Sequence, residues 1–335
     1  MDIFWQGITG HKKLIDQLKR LVKNGQIPHA LLFYGPVGIG KRRIAEAFAA
    51  ALLCQEKDAP CGNCGSCRLL SDADSRHPDF FLIEPIVRGK STRSIRIEEI
   101  RRLETDLSRL PVVSKRRVVI IDDAWLMNEA ASNSLLKTLE EPVGDVVFIL
   151  LAENRESLLP TIVSRCTPVA FGPLTREEIA ELLQQRGCTS DRAAELSALA
   201  DGSIGKALCL HESVTDWPQA VVELLEEFDS WAMEKLLAKA GNLAELERTE
   251  LSEWLHYLRL VLRDLLVLCA GGGTEIYCQA QTERLAGLLS VYSRTRIFAM
   301  LQILADFEQR LNSNANQKLQ LEALLLRLHD TIEED

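Results

Sequence analysis

Five short runs that are apolar at almost every position divide the first half of the chain: HALLFYG (29–35), DFFLIEP (79–85), RRVVIID (116–122), DVVFILLAE (145–153) and TPVAF (167–171). A strand with one wet face alternates, whereas a strand covered on both faces is apolar throughout, so these runs predict the buried strands of a parallel sheet. Between them lie KRRIAEAFAAALL (41–53), SIRIEEIRRLETDLSRL (94–110), NEAASNSLLKTLEE (128–141) and RESLLPTIVSR (155–165), which carry the period of amphipathic helices. Strand and helix in alternation predict an α/β domain. Gly172 and Pro173 then punctuate the chain, and no strand pattern follows. Three short helices are predicted across 175–211. Long amphipathic helices follow at 217–240, 250–270, 296–311 and 318–330, broken by Gly271, Gly272 and Gly273 and by NSNAN (312–316). The predicted organisation is an α/β domain over 1–171, a small helical unit over 172–211 and a helical domain over 212–335.

Composition narrows the function classes. A chain of 335 residues exceeds what one core serves, which agrees with two or three domains. No apolar run reaches the roughly 18 residues of a membrane helix, and MDIFWQGITGHKK at the start lacks an apolar signal region, so a cytoplasmic protein is expected. A net charge of −9 argues against a broad basic face that grips DNA unaided; any nucleic-acid contact would be local or shared with partners. The tract 88–96, with Arg88, Lys90, Arg93 and Arg96, reads either as a phosphate-backbone contact or as a solvated loop.

The junction of the first strand and its helix carries the candidate chemistry. Gly35, Gly38, Gly40 and Lys41 fit a phosphate-binding loop, in which backbone N–H groups and a helix N-terminus cradle phosphate oxygens and the lysine reaches the β and γ phosphates. The next position departs from the pattern. Arg42 stands where a serine or threonine hydroxyl holds Mg²⁺, and a guanidinium has no lone pair to offer a cation. Three readings stay open at this point: the loop hydrolyses ATP, only binds it, or survives as scaffolding. The third strand ends in Asp122, the candidate magnesium-associated carboxylate, and in Asp123, one methylene shorter than the glutamate that polarises water in an ATPase; alternatively both acids simply cap the following turn.

Four of the nine cysteines fall within fourteen residues. Cys54, Cys61, Cys64 and Cys67 lie in a loop rich in Pro, Gly, Asn and Ser, the spacing of a structural four-thiolate zinc site. An iron–sulfur cluster is the other reading, without the proline-terminated ferredoxin pattern to support it. His77, before Pro78, is expected to bond locally rather than to ligate metal. Trp217, Trp231 and Trp254 lie on apolar stripes and are expected in the core, as are most of the remaining cysteines.

Taken together, HALLFYGPVGIGK, the four-cysteine insertion, HPD (77–79), NSLLKTLEEP (133–142), Ser164-Arg165-Cys166 and NSNANQKLQLEALLL (312–326) resemble the delta prime family of the bacterial DNA polymerase III clamp loader over nearly the whole chain. The resemblance implies an AAA+ P-loop domain with a zinc module inserted at about 54–67, a helical lid and a helical collar through which subunits assemble. It implies delta and gamma or tau subunits as partners, and contact with the sliding clamp and primed DNA through the complex. It further implies that Arg165 reaches a neighbouring subunit's ATP as an arginine finger in trans; the plain alternative is a surface arginine paired with a carboxylate. The rest of the motor pattern is missing: Ala152 and Glu153 replace a polar sensor, and Gly205 stands where a second sensor arginine would be. These losses imply a subunit that does not hydrolyse ATP. Two rival readings are a gamma- or tau-type motor that tolerates Arg42, and a zinc-module protein that binds nucleic acid outside replication.

Overall fold

The computed structural model describes residues 4–72, 77–86, 93–142, 144–212, 216–272, 276–310 and 316–331. The chain divides into two compact units, one of residues 1–193 with 200–208, the other of residues 194–199 with 209–335. The first unit starts with α1 (Lys12–Asn24), β1 (Ala30–Tyr34), α2 (Lys41–Leu53), α3 (Gly65–Ser71), β2 (Phe80–Ile83) and α4 (Ile97–Leu107). It continues through β3 (Arg117–Ile121), α5 (Glu129–Glu140), β4 (Val146–Ala152), α6 (Pro160–Val163), β5 (Thr167–Ala170) and α7 (Arg176–Gln185). Helices α8 (Ser190–Leu199) and α9 (Ile204–Glu212) span the divisions between the units.

All five strands are parallel, in the order β2-β3-β4-β1-β5, and each coincides with one of the five apolar runs. Their apolar continuity follows from cover on both faces. Leu31 and Phe33 of β1, Val118 and Ile120 of β3, and Val147, Ile149 and Leu151 of β4 pack with α1 and α2. The alternate residues Leu32, Val119, Ile121, Phe148 and Leu150 pack with α4, α5 and α6 on the other face. Strand β5 lies at an edge, where Pro168 costs no central ladder bond.

Several elements differ from the sequence expectation, among them α3 and the helix Thr282–Leu288, which lie where no helix is predicted. The helix predicted over 155–165 shrinks to the single turn of α6, because Pro160 holds Leu159 out of the helical region (ψ 133°) and itself occupies the first helical position. Helix α1 was not anticipated, although Ile15, Leu18 and Val22 between Gly10 and Gly25 carry its period.

The insertion between α2 and β2 is fastened to the sheet by a buried polar cluster. The Asp79 carboxylate accepts the N–H groups of Val112 (2.8 Å), Val113 (2.7 Å) and Ser114 (2.7 Å), which lead into β3. His77 Nδ1 accepts the Asp79 N–H at 3.0 Å, so its Nε2 carries the proton directed at Ser66 Oγ on α3, 2.9 Å away. Ser114 Oγ donates in turn to the Leu53 carbonyl at the end of α2 (2.8 Å). His77 is thus a local bonding residue, as its sequence context suggests.

The described residues of the second unit form helices joined by short connections: α10 (Trp217–Glu227), α11 (Met233–Glu245), α12 (Arg248–Cys269), α13 (Thr282–Leu288), α14 (Arg294–Arg310) and α15 (Gln317–Asp330). The helix predicted over 217–240 is broken at Phe228–Ser230, a 3₁₀ turn followed by extended Trp231 and Ala232. Phe228 and Trp231 are buried, so the apolar period runs through the break and hides it. The turn presents Asp229 to Arg296 of α14, which is nearly fully buried, bonds it at 2.5 and 2.8 Å, and lies 4.3 Å from the Tyr292 ring centroid. On α12 the buried Asp264 pins the chain after the glycine run by accepting the N–H groups of Tyr277 (3.0 Å) and Cys278 (2.8 Å). Trp217, Trp231 and Trp254 are all in the core. Residues 88–92 of the basic tract and 312–315 of NSNAN lie outside the described residues.

Burial works against the charge of Asp79, but the N–H groups of Ser114, Val112 and Val113 outweigh it and hold the carboxyl below its ordinary value. The stabilisation is therefore present above the unfolded carboxylate pKa of about 4 and disappears as pH falls through the lowered folded value. Asp79→Asn is expected to lower stability by about 2 kcal/mol or more at pH 7, with the gap to the parent closing below about pH 4; denaturant melts across that range check it, and a pH-independent gap would contradict the assignment.

Candidate functional site

The loop from β1 to α2 has a shape that few residues other than glycine accept. A Cβ at Gly35 would lie 2.3 Å from the Phe171 carbonyl oxygen, and Gly38 (φ 75°) and Gly40 (φ 95°) take left-handed backbone. The start of α9 closes on the loop: Ser203 Oγ donates to the Val37 carbonyl (2.9 Å) and the Gly205 N–H to the Gly38 carbonyl (2.7 Å). A Cβ at Gly205 would stand 2.9 Å from Gly38 Cα, so position 205, where the resemblance implies a sensor arginine, has no room for a side chain in this arrangement. A cleft of about 550 Å³ lies between the loop, the ends of β3 and β4, and Gly205. Lys41 Nζ donates to the carbonyls of Gly35 and Pro36, both at 2.7 Å. Burial lowers its pKa, against the pull of Glu153, Asp123 and Asp122.

Arg42, in the first turn of α2, does more than omit a hydroxyl. The register pairs Ile83 with Ile121, so Glu84 and Asp122 leave adjacent strands side by side. Arg42 binds both, through Nη1 to Glu84 Oε1 (2.5 Å) and to Asp122 Oδ2 (3.1 Å), and its Nε binds Glu46 one turn along α2 at 3.0 Å. Partial burial opposes its charge, but the hydrogen bonds to Glu46 and Glu84 prevail and hold its pKa above even the usual arginine value. Mg²⁺ demands near-octahedral oxygen ligands at about 2.1 Å. Here one carboxylate oxygen of Asp122 already accepts from a guanidinium and position 42 supplies only donors, so these residues do not fit that ion.

The neighbouring acid is also occupied. Asp123 takes a left-handed backbone (φ 46°) and pairs with Arg93 at 3.4 Å. Burial and the charge of Asp122 push its carboxyl up. At the end of β4, the Ala152 methyl is buried and has no polar atom to offer, and its carbonyl accepts the Gly35 N–H (3.3 Å).

Arg165 follows the single turn of α6. It is partly exposed, donates to the Thr161 carbonyl at 2.9 Å and forms an ion pair with Glu140, within the NSLLKTLEEP stretch of α5. In this chain by itself the arginine rests on a carboxylate.

The four cysteines of the insertion converge, with all sulfurs within 4.8 Å of one another. Cys54 Sγ lies 3.9 Å from Cys64 Sγ, and Cys61 Sγ lies 4.0 Å from Cys67 Sγ. A tetrahedron of thiolates around an ion at about 2.3 Å has edges of about 3.8 Å, so the donor set fits a four-coordinate metal. These separations are far beyond a disulfide bond of about 2.05 Å. N–H groups point at the sulfurs: those of Asn63 (3.4 Å) and Cys64 (3.3 Å) bring the Cys61 thiol down to about 6. Burial pushes Cys67 up. Of the other cysteines, Cys166, Cys188 and Cys278 are buried and Cys209 and Cys269 are exposed.

A family profile described as DNA polymerase III, delta subunit matches residues 10–175, and one described as its C-terminal part matches residues 219–330. The DNA polymerase III subunit delta′ of Escherichia coli is 30% identical over 323 residues, 91% of this chain and 90% of that protein. This chain belongs to the delta′ family of DNA polymerase III. The delta′ subunit of Bacillus subtilis is 26% identical over 98% of the chain and all of that protein. The delta′ subunit of Pseudomonas aeruginosa is 40% identical over 205 residues, spanning 59% of the chain and 60% of that relative.

Within this delta′ chain the fold brings together Gly35, Gly38, Gly40, Lys41 and Asp122, as the sequence pattern requires, and separately Cys54, Cys61, Cys64 and Cys67. Sequence reasoning missed Glu84, Glu46, Arg93 and Glu140, the partners of the charged site residues. Glu84 was findable, since DFFLIEP and RRVVIID both end in acids and parallel neighbours end together. Among the described residues no helix is long and apolar enough to cross a membrane.

The backbone contact at Gly205 yields a direct test. Gly205→Ala is expected to destabilise the delta′ chain by about 1–3 kcal/mol in thermal melts, the cost of overpacking. Gly205→Arg is expected to do at least as much damage and to restore no ATPase activity. A neutral Gly205→Ala would mean that the loop and α9 do not meet.

Proposed function

We propose that this chain is the stator of a bacterial clamp loader, a subunit that does not hydrolyse ATP and that helps the assembly place the sliding clamp on primed DNA. The observation that carries the reading is Arg42, whose guanidinium bridges Asp122, Glu84 and Glu46 inside an otherwise retained phosphate loop. Hydrolysis at a P-loop needs a metal across the β and γ oxygens and a carboxylate aimed at water. With Asp122 bonded to Arg42 and Asp123 to Arg93, both carboxylates serve arginines. The loop keeps the capacity to bind nucleotide phosphates without turning them over.

In this reading residues 1–171 are an AAA+ domain, 172–211 its lid and 212–335 a collar that assembles with delta and gamma or tau subunits in the cytoplasm. The chain's catalytic contribution is Arg165, lent to the ATP of a neighbouring motor subunit. Leaving Glu140 costs little, because a surface ion pair is worth no more than about 1 kcal/mol, while a guanidinium fork on a phosphate gains paired charge-assisted bonds. Zinc is the ion of the cysteine cluster. All four donors are thiolates, so the ion closes the loop as a structural centre and leaves no open position for chemistry.

Two measurements test these roles. In a reconstituted complex, Arg165→Ala is expected to leave assembly intact and to lower DNA-stimulated ATP hydrolysis at least about tenfold, a lower bound set well beneath the roughly 10³–10⁵ that such fingers supply, whereas Glu140→Gln should not lower it; unchanged turnover in Arg165→Ala sinks the assignment. Elemental analysis is expected to find about one zinc per chain, lost in Cys64→Ser together with a lower melting temperature. Iron and visible absorption would instead select the cluster reading.

A further inference from the structure

The cation that this cleft needs is already part of the chain. A nucleotide's phosphates bring negative charge beside Asp122, and in a P-loop enzyme Mg²⁺ stands between the two. Here the Arg42 guanidinium occupies that place in the charge pattern. It is anchored from three directions, by the helix that carries it through Glu46 and by the ends of two adjacent strands through Glu84 and Asp122. The guanidinium is covalently attached and cannot be exchanged for a metal, and with Nε and Nη1 bonded to the three carboxylates its Nη2 keeps two N–H donors for an anion. Meanwhile the cradle itself is open. Among the described residues no backbone acceptor takes the N–H groups of Gly38, Gly40 or Lys41, and Lys41 Nζ donates to two loop carbonyls that a phosphate oxygen can replace.

We infer that Arg42 is a built-in counter-cation and that the delta′ loop takes the phosphate chain of a nucleotide free of metal. This rests on the proposed reading of the cleft as a nucleotide-binding site, and it goes further by naming the species bound: a free nucleoside di- or triphosphate rather than its magnesium complex. Magnesium then competes with the protein for the ligand instead of supporting it.

Titration of the full chain with a fluorescent ADP or ATP analogue, once in EDTA and once in millimolar Mg²⁺, tests the inference. The dissociation constant in EDTA is expected to lie at least several-fold below the one in Mg²⁺, because the metal withdraws the free ligand. An equal constant, or tightening by Mg²⁺, would overturn it. Absence of binding in both buffers overturns the nucleotide-site reading itself, and so is distinguishable from a failure of the metal argument alone. Arg42→Thr places a hydroxyl at the metal position and frees Asp122, so this variant is expected to bind the analogue at least tenfold more tightly with Mg²⁺ than without; a variant that Mg²⁺ weakens as it does the parent would also overturn the role assigned to Arg42. A melting curve of the variant shows that it is folded before it is titrated.

Discussion

Parallel pairing in fixed register is the constraint on which everything at the candidate site depends. Five strands run the same way; at their carboxyl ends Asp122 after β3 and Glu153 after β4 line the cleft, Glu84 after β2 bonds Arg42, Gly35 after β1 accepts from Lys41, and Phe171 after β5 lies against Gly35. Ligand sites in open parallel sheets gather at that edge because the connections leave a crevice there. A slip of one residue in β3 would move Asp122 away from Glu84 and turn Val118 and Ile120 out of the cluster that α1 and α2 cover. The apolar demand of two buried faces therefore sets the spacing of charges that the sheet core never touches.

Electrostatics then decides what the loop can do. Arg42 and Arg93 each satisfy an acid that an ATPase would keep for a metal or for water, and the start of α9 meets the loop through backbone atoms where a motor would place a long side chain. These are not independent defects spread through the fold. They converge on one cleft, lined by Gly38, Arg42, Asp122, Asp123 and Gly205.

The architecture was largely legible because burial on both faces leaves an unbroken apolar signature, and all five strands appear where those runs lie. The long α2 was equally plain, from its phosphate-loop start to its apolar end. Legibility failed where period and structure part company. The apolar stripe continues through the 3₁₀ turn at Phe228–Ser230, so no gap announced the break there. In the site, single-residue identities gave the losses at 42, 123, 152 and 205, but the partners of Arg42, Arg93 and Arg165 depend on which elements the fold sets side by side. A sequence shows that Arg42 cannot hold magnesium; only the register shows that it holds Glu84 and Asp122.

The polar cluster of Asp79, His77 and Ser66 has a thermodynamic reach beyond its own bonds. It ties α3, which carries Cys67, to the backbone that leads into β3, and Ser114 ties the same backbone to the end of α2 just before Cys54. Ligand geometry at the thiolates and order at the sheet margin are thus two faces of one equilibrium. An ion held by the four sulfurs would strengthen the margin, and by reciprocity a firmer margin would raise the affinity for the ion. Oxidation of one thiol would accordingly be felt along the sheet, well away from the sulfur that was lost.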